Sequence, residues 1–225
     1  MGPHRSVHAF TARFFPHSSV SLRWVALAFA LLVAIWWVPT AWGADSPMFQ
    51  GGTGTEADPY TITDANQLGR FRDSVNAGND YAGKYIALDA DIDLGGAEWT
   101  PIGTGTRKGS GYASESTPFA GTFDGAGHRI SGLKITVAPT AGYAVGLFGI
   151  LNGATVENLV VKDASISVPD SELAGILCGL MVNDSSVSGV TTSGAIAGKA
   201  GVGGIAGRMT LSGRIANCEN DATVS

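Results

Sequence analysis

Three carboxylates at alternate positions, Asp89, Asp91 and Asp93, form the densest group of chemically competent side chains in this 225-residue chain. On a strand, alternate residues share one face about 7 Å apart. Acids so placed can bind calcium or perform glycosidase chemistry. An EF-hand loop starting at Asp89 needs glycine at its sixth position and glutamate at its twelfth, where Leu94 and Thr100 stand. The acids also interleave with Ala90, Ile92 and Leu94. Such alternation by itself puts polar residues on the outer face of a half-buried strand. The outer-face reading is preferred; calcium is the one cofactor left open, and none other is implied.

The remaining candidates are sparse. His128 is the sole histidine after the leader and follows the turn Asp124–Gly127, which makes it a turn residue before a general base. One histidine cannot build the HExxH zinc helix, and no serine sits in a GxSxG elbow. The glycines of 51–54 lack the lysine and hydroxyl of a phosphate loop. Trp99 and Tyr112 could stack on a sugar, although Trp99 between strands reads first as a core or edge filler. Arg107-Lys108 is the one basic doublet after the leader.

The elements that would position these residues are mostly strands. Asp64 with Gln67 forms a capping box, Leu68, Phe71 and Val75 share one helical face, and Gly78 stops the run. This predicts an amphipathic helix over about 63–78 within an N-terminal segment 44–82. A solenoid has an open hydrophobic end, and the helix is placed as its N-terminal cap. Residues 83–141 read as irregular coils with an exposed polar loop at 104–118.

Residues 142–225 then say one phrase three times: Val145-Gly146-Leu147-Phe148-Gly149, Ile176-Leu177-Cys178-Gly179 and Gly204-Ile205-Ala206-Gly207. Downstream of the three copies come Val156, Val187 and Ile215, and then Ile166, Ile196 and Val224. Steps of 30 and 28 residues with β-type alternation predict a stacked β-solenoid. In that register Cys178 falls with Phe148 and Ala206, and Cys218 with Leu159 and Val190. Both cysteines read as small buried apolar residues rather than a disulfide. The last coil stops in mid-strand without a cap. The chain is therefore expected to be a fragment, or to have another chain over that end.

Export and charge narrow the class. Residues 1–43 carry three arginines, an apolar core at Val25–Val38 and small residues at Ala41-Trp42-Gly43, the order of a secretory signal peptide. An uncleaved anchor is the rival reading, since Trp24–Ala44 is uncharged. Without the three leader arginines, 11 Lys+Arg face 19 Asp+Glu, which argues against nucleic acid as a partner.

The repeated phrase with its V/I-x-N-L/C step resembles the GLUG motif of bacterial surface proteins. Its structural positions here are Gly146, Leu147, Gly149, Leu177, Gly179, Gly204, Ile205 and Gly207. GTGTEADPYTI, ALDADIDLGG, EWTPIG and PFAGTFDGAGHRISGLKI look like the opening module of the same proteins, so the likeness spans about 49–225. The second copy departs from it, with Ile176 where the motif has glycine. The resemblance implies an all-β, right-handed parallel β-helix with one capping helix, on exported adhesin-like or immunoglobulin A protease-type proteins. The expected function is a non-catalytic stalk or adhesion module, secreted or on the cell surface, with a host or cell-surface glycan or protein as partner. A β-helix polysaccharide lyase or glycoside hydrolase is the alternative, since fold does not settle function.

Overall fold

A computed structural model describes residues 47–108, 111–112, 115–138, 144–210 and 212–225, with the backbone alone at Arg107 and Gly111. They fall within one unit, Ser46–Ser225. The leader read over 1–43 and the start of the first repeat at 142–143 lie outside the described residues. No helix among the described residues is long and apolar enough to cross a membrane.

The chain is nearly all β and winds as a parallel β-helix. β1 (Tyr60–Ile62) leads into the one helix among the described residues, α1 (Ala65–Asn76), and then β2 (Tyr85–Leu88) and β3 (Ile92–Asp93). A hairpin of β4 (Arg107–Lys108) and β5 (Gly111–Tyr112) precedes β6 (Thr122–Asp124), β7 (Arg129–Ser131) and β8 (Lys134–Ile135). Three four-strand coils follow. The first holds β9 (Ala144–Val145), β10 (Phe148–Asn152), β11 (Thr155–Glu157) and β12 (Val160–Ser167). The second holds β13 (Leu173–Gly175), β14 (Cys178–Val182), β15 (Ser186–Ser188) and β16 (Thr191–Ala197). The third holds β17 (Gly201–Gly203), β18 (Ala206–Met209), β19 (Arg214–Ala216) and β20 (Glu219–Val224).

Each side of the coil is one parallel sheet. β1-β2-β6-β11-β15-β19 form the longest run, and β3-β7-β12-β16-β20 the next, with β8 also on β12. β9-β13-β17 and β10-β14-β18 make the other two sides. The register is the one the repeats predict: Phe148, Cys178 and Ala206 stack, as do Val156, Val187 and Ile215, and Ile166, Ile196 and Val224.

The repeated residues have local reasons. Asn158 and Asn217 turn the corner between two sheets at φ 51° and 54°, with Gly189 at 62° in the same place. Glycine and asparagine adopt that left-handed conformation most easily, which explains the N in the V/I-x-N step. Gly149 meets a different demand. A Cβ there would fall on the Gly103 carbonyl of the preceding coil, and one at Gly179 on the backbone of Ala144-Val145. Ile176, the departure from the phrase, is fully buried in the core.

The N-terminal end is closed as expected, by α1. The Asp64 side chain accepts from the Gln67 amide at 2.8 Å, and Gln67 Oε1 accepts from the Thr63 amide at 2.8 Å, so the box closes one residue earlier than at Asp64 itself. Phe71 packs edge-on to Phe119 and stacks on Phe123. Those two rings contact Phe148. Below Phe148 the column narrows to Cys178 and Ala206. Both cysteines are free; Cys178 is buried and Cys218 half-buried.

The 104–118 segment differs from a plain exposed loop. Ile102 and Phe119 pair with Phe148 and Leu151 of β10, so the segment is an insertion at the β10 side of the preceding coil. Thr104 bridges Thr117 at its base. Tyr112 lies against a second apolar cluster of Ala144, Ile150, Leu173, Leu180 and Val182. In this segment Lys108 is exposed, while Thr104 and Thr117 at its base are half-buried.

Phe148→Ala should lower unfolding free energy by about 3–5 kcal/mol in urea denaturation, since the ring joins cap to repeats and leaves a cavity. Val137→Ala, at a side chain 67% exposed, should stay within about 0.5 kcal/mol.

Candidate functional site

The three aspartates do not share one strand face. β2 ends at Leu88 and β3 begins at Ile92, and these strands belong to different sheets. The chain therefore turns a corner across Asp89–Asp91. Alternation of inside and outside persists around a solenoid corner, so the pattern that suggested one straight strand continues through a bend. Asp89 stands before the corner, with its amide bonded to the Ile62 carbonyl at 3.0 Å.

Asp91 is committed to the next coil. Its Oδ1 accepts the Arg129 amide at 3.0 Å and lies 3.3 Å from His128 Nδ1, while Oδ2 accepts Arg129 Nε at 2.8 Å. The Arg129 amide first, then its guanidinium and His128, hold the Asp91 carboxyl below its ordinary value. Asp93 instead accepts the Gly95 amide at 2.8 Å and fastens the following turn. Two of the three calcium candidates thus have separate structural duties. No group of three or more His, Cys, Asp or Glu among the described residues is arranged to hold a metal.

His128 does sit in the turn, with its amide on the Gly125 carbonyl at 2.8 Å. It is also more than a turn residue, because its ring reaches Asp91 across the coil step.

Glu98 escaped the sequence reading. Its carboxylate takes the Thr136 amide at 2.6 Å, the Val137 amide at 2.8 Å and the Thr136 hydroxyl at 2.9 Å. Desolvation works against its ionised form, but those three donors and Lys134 outweigh it, and the carboxyl lies below its usual range. Asn76 was missed as well. It donates to the Pro101 carbonyl and accepts from the Gly103 amide, which ties α1 to the first coil. Neither residue carries a repeat signal, since each has one partner set in a non-repeating region.

Trp99 and Tyr112 are occupied. Trp99 is 6% exposed and its Nε1 donates to the Leu147 carbonyl at 3.2 Å. The Arg72 guanidinium lies 4.7 Å from its ring centroid and also pairs with Asp73 at 2.8 Å. Arg72 thus covers the ring where a sugar would stack. A cleft of about 360 Å³ opens beside this pair, lined by Asn66, Arg70, Asp73 and Glu98 among others. Tyr112 is half-buried, and desolvation raises its phenol. A smaller hollow of about 180 Å³ on the outer face of the β2-β6-β11 sheet is lined by Glu56, Tyr85, Asp124 and Glu157. There Asp124 already accepts the Ala126 amide and Asn158 Nδ2.

Acid sensitivity follows from Asp91 and Glu98. Carboxyls held low in the folded state stabilise it above their unfolded values and lose that contribution as pH falls through the folded values. Melting temperature should therefore decline below about pH 4.5, the ordinary value for Glu98. Glu98→Gln should remove roughly 1 kcal/mol at neutral pH, because the group is solvent-screened, and should flatten the decline. Chelator should leave the melting temperature unchanged; a drop would restore calcium to Asp89, Asp91 and Asp93.

Comparison with known proteins gives a mixed picture. No family model matches the chain. A provisionally named Gly-rich membrane protein of Evansella cellulosilytica is 34% identical over 139 residues, 60% of this chain. Halomucin of Haloquadratum walsbyi is 32% identical over 164 residues, 71% of this chain. The chain spans only 15% of the first relative and 2% of the second. Among solved structures, a provisionally named immunoglobulin A1 protease from Bacteroides ovatus aligns over 79% of this chain and 62% of its own, at 24% identity and a TM-score of 0.47. The sequence likeness is thus to segments of much longer proteins, one of them named for a membrane.

Proposed function

We propose that the chain is a non-catalytic β-helix module of the GLUG type, exported to a bacterial cell surface or secreted, with a stalk or adhesion role. One observation carries this reading. Three acids of the candidate region are spent on joining coils and turns: Asp91 on Arg129 and His128, Asp93 on Gly95, Glu98 on Thr136 and Val137. A general acid or nucleophile needs a group free to meet substrate. The names of the two relatives and the acid excess favour an exposed, solvated surface protein.

The parallel ladder suits a stalk, since tension along the winding axis is borne by many hydrogen bonds at once. Incubation with a panel of plant and bacterial polysaccharides should yield no released reducing ends and no unsaturated products. Turnover that disappears in Asp91→Asn while the fold is kept would overturn the proposal in favour of a lyase or hydrolase.

A further inference from the structure

We propose that the cleft between α1 and the 94–99 turn binds a carboxylate-bearing sugar residue of a surface glycan. The inference rests on the adhesion reading and names what that module would hold. The cleft measures about 360 Å³, with Asn66, Gly69, Arg70 and Arg72 on the α1 side and Leu94 and Ala97 on the other. That volume is at the low end for small-ligand sites, roughly the size of one or two sugar rings.

Gly69 points to an occupant. It stands inside α1, where glycine is among the poorest residues. Its backbone is helical, so no positive φ asks for glycine. A Cβ there would meet one atom within 4 Å, Arg72 Nη2 at an ordinary 3.8 Å, so no neighbour asks for it either. Gly149 and Gly179, by contrast, face backbone that a Cβ would strike. What the bare position provides is room in the cleft, against the helix backbone. Glycine serves where a ligand must approach the main chain closely.

The walls select a carboxylate. The Arg72 guanidinium is held 4.7 Å from the Trp99 ring centroid, so its position is set in advance. Its acid partner is the adjacent Asp73, whose side chain is 67% exposed. So solvent-screened a pair is weak and yields to a second carboxylate. Glu98, the other acid on the cleft, already takes two amides and a hydroxyl. Arg70 adds a second guanidinium, and the planar fork of arginine grips a carboxylate through two hydrogen bonds. The sugar ring has its own complement. Ala65, Leu94 and Ala97 give its C–H face an apolar floor, and Asn66 offers an amide to its hydroxyls. Stacking on Trp99 is not required, since Arg72 occupies that face.

Isothermal calorimetry with methyl glucuronide should show binding that weakens with salt, with methyl glucoside and acetate each roughly tenfold weaker or more. Arg72→Gln should raise Kd by about tenfold. Gly69→Leu should abolish binding with an unchanged circular dichroism spectrum. Gly69→Ala should weaken binding yet raise the melting temperature by about 2–4 °C, because alanine is the better helix residue. A glycine kept for the fold alone would show no such opposition of signs. No binding of the glucuronide, equal binding of the glucoside or acetate, or binding indifferent to the Gly69 and Arg72 substitutions overturns the proposal and leaves the stalk reading standing. Release of methanol from the bound glucuronide overturns the non-catalytic reading, and this site with it.

Discussion

Everything in this fold depends on one coil hydrogen-bonding in register to the next. The parallel ladder fixes the vertical neighbour of each residue, so inward positions stack into columns and must agree in size and polarity. Phe71, Phe123, Phe148, Cys178 and Ala206 show the result: the interior is aromatic beneath the cap and narrows toward the last coil. The same closeness excludes side chains where backbones approach. Gly149 and Gly179 are glycine because a Cβ would enter the neighbouring coil's backbone. A coil lacking its neighbour would leave its backbone groups and half its apolar contacts unsatisfied, so coils are stable only as a stack.

That constraint explains what could be read from sequence. Columns such as Val156, Val187 and Ile215 repeat because the ladder repeats, so spacing alone placed them in register. The helix was legible from its own residues, since capping and amphipathic period are local. The corner at Asp89–Asp91 was hidden, because a solenoid alternates inside and outside through its bends as well as along its strands. The fate of the 104–118 segment was hidden for another reason. Its Tyr112 covers Ile150 and Leu180, which lie in two later coils.

The candidate site was the least legible part, for a reason that follows from the same ladder. Outward residues carry no packing requirement, so their types vary from coil to coil and leave no period. Asp91 finds His128 and Arg129 some 37 and 38 residues away, and Glu98 finds Thr136 and Val137 at 38 and 39. Separations of this kind exceed the regular step of 28 to 30 because the early coils contain the inserted hairpin. No pattern in one coil could announce them.

The outward acids also show how a scaffold consumes chemistry. A carboxylate on a solenoid surface lies one coil step, about 4.8 Å, from the backbone amides and side chains of its neighbours. Reaching them costs little ordering, because both coils are already fixed by their ladders. Asp91 and Glu98 each collect three donors in this way, and Asp93 a turn amide. A solenoid that is to catalyse must keep some acids out of reach of such donors, by local curvature or by an inserted loop that lifts them away. Here the β4–β5 hairpin lies elsewhere. It covers an apolar patch on the β10 side, while the acids around the Asp89–Asp91 corner remain at the level of the coils they join.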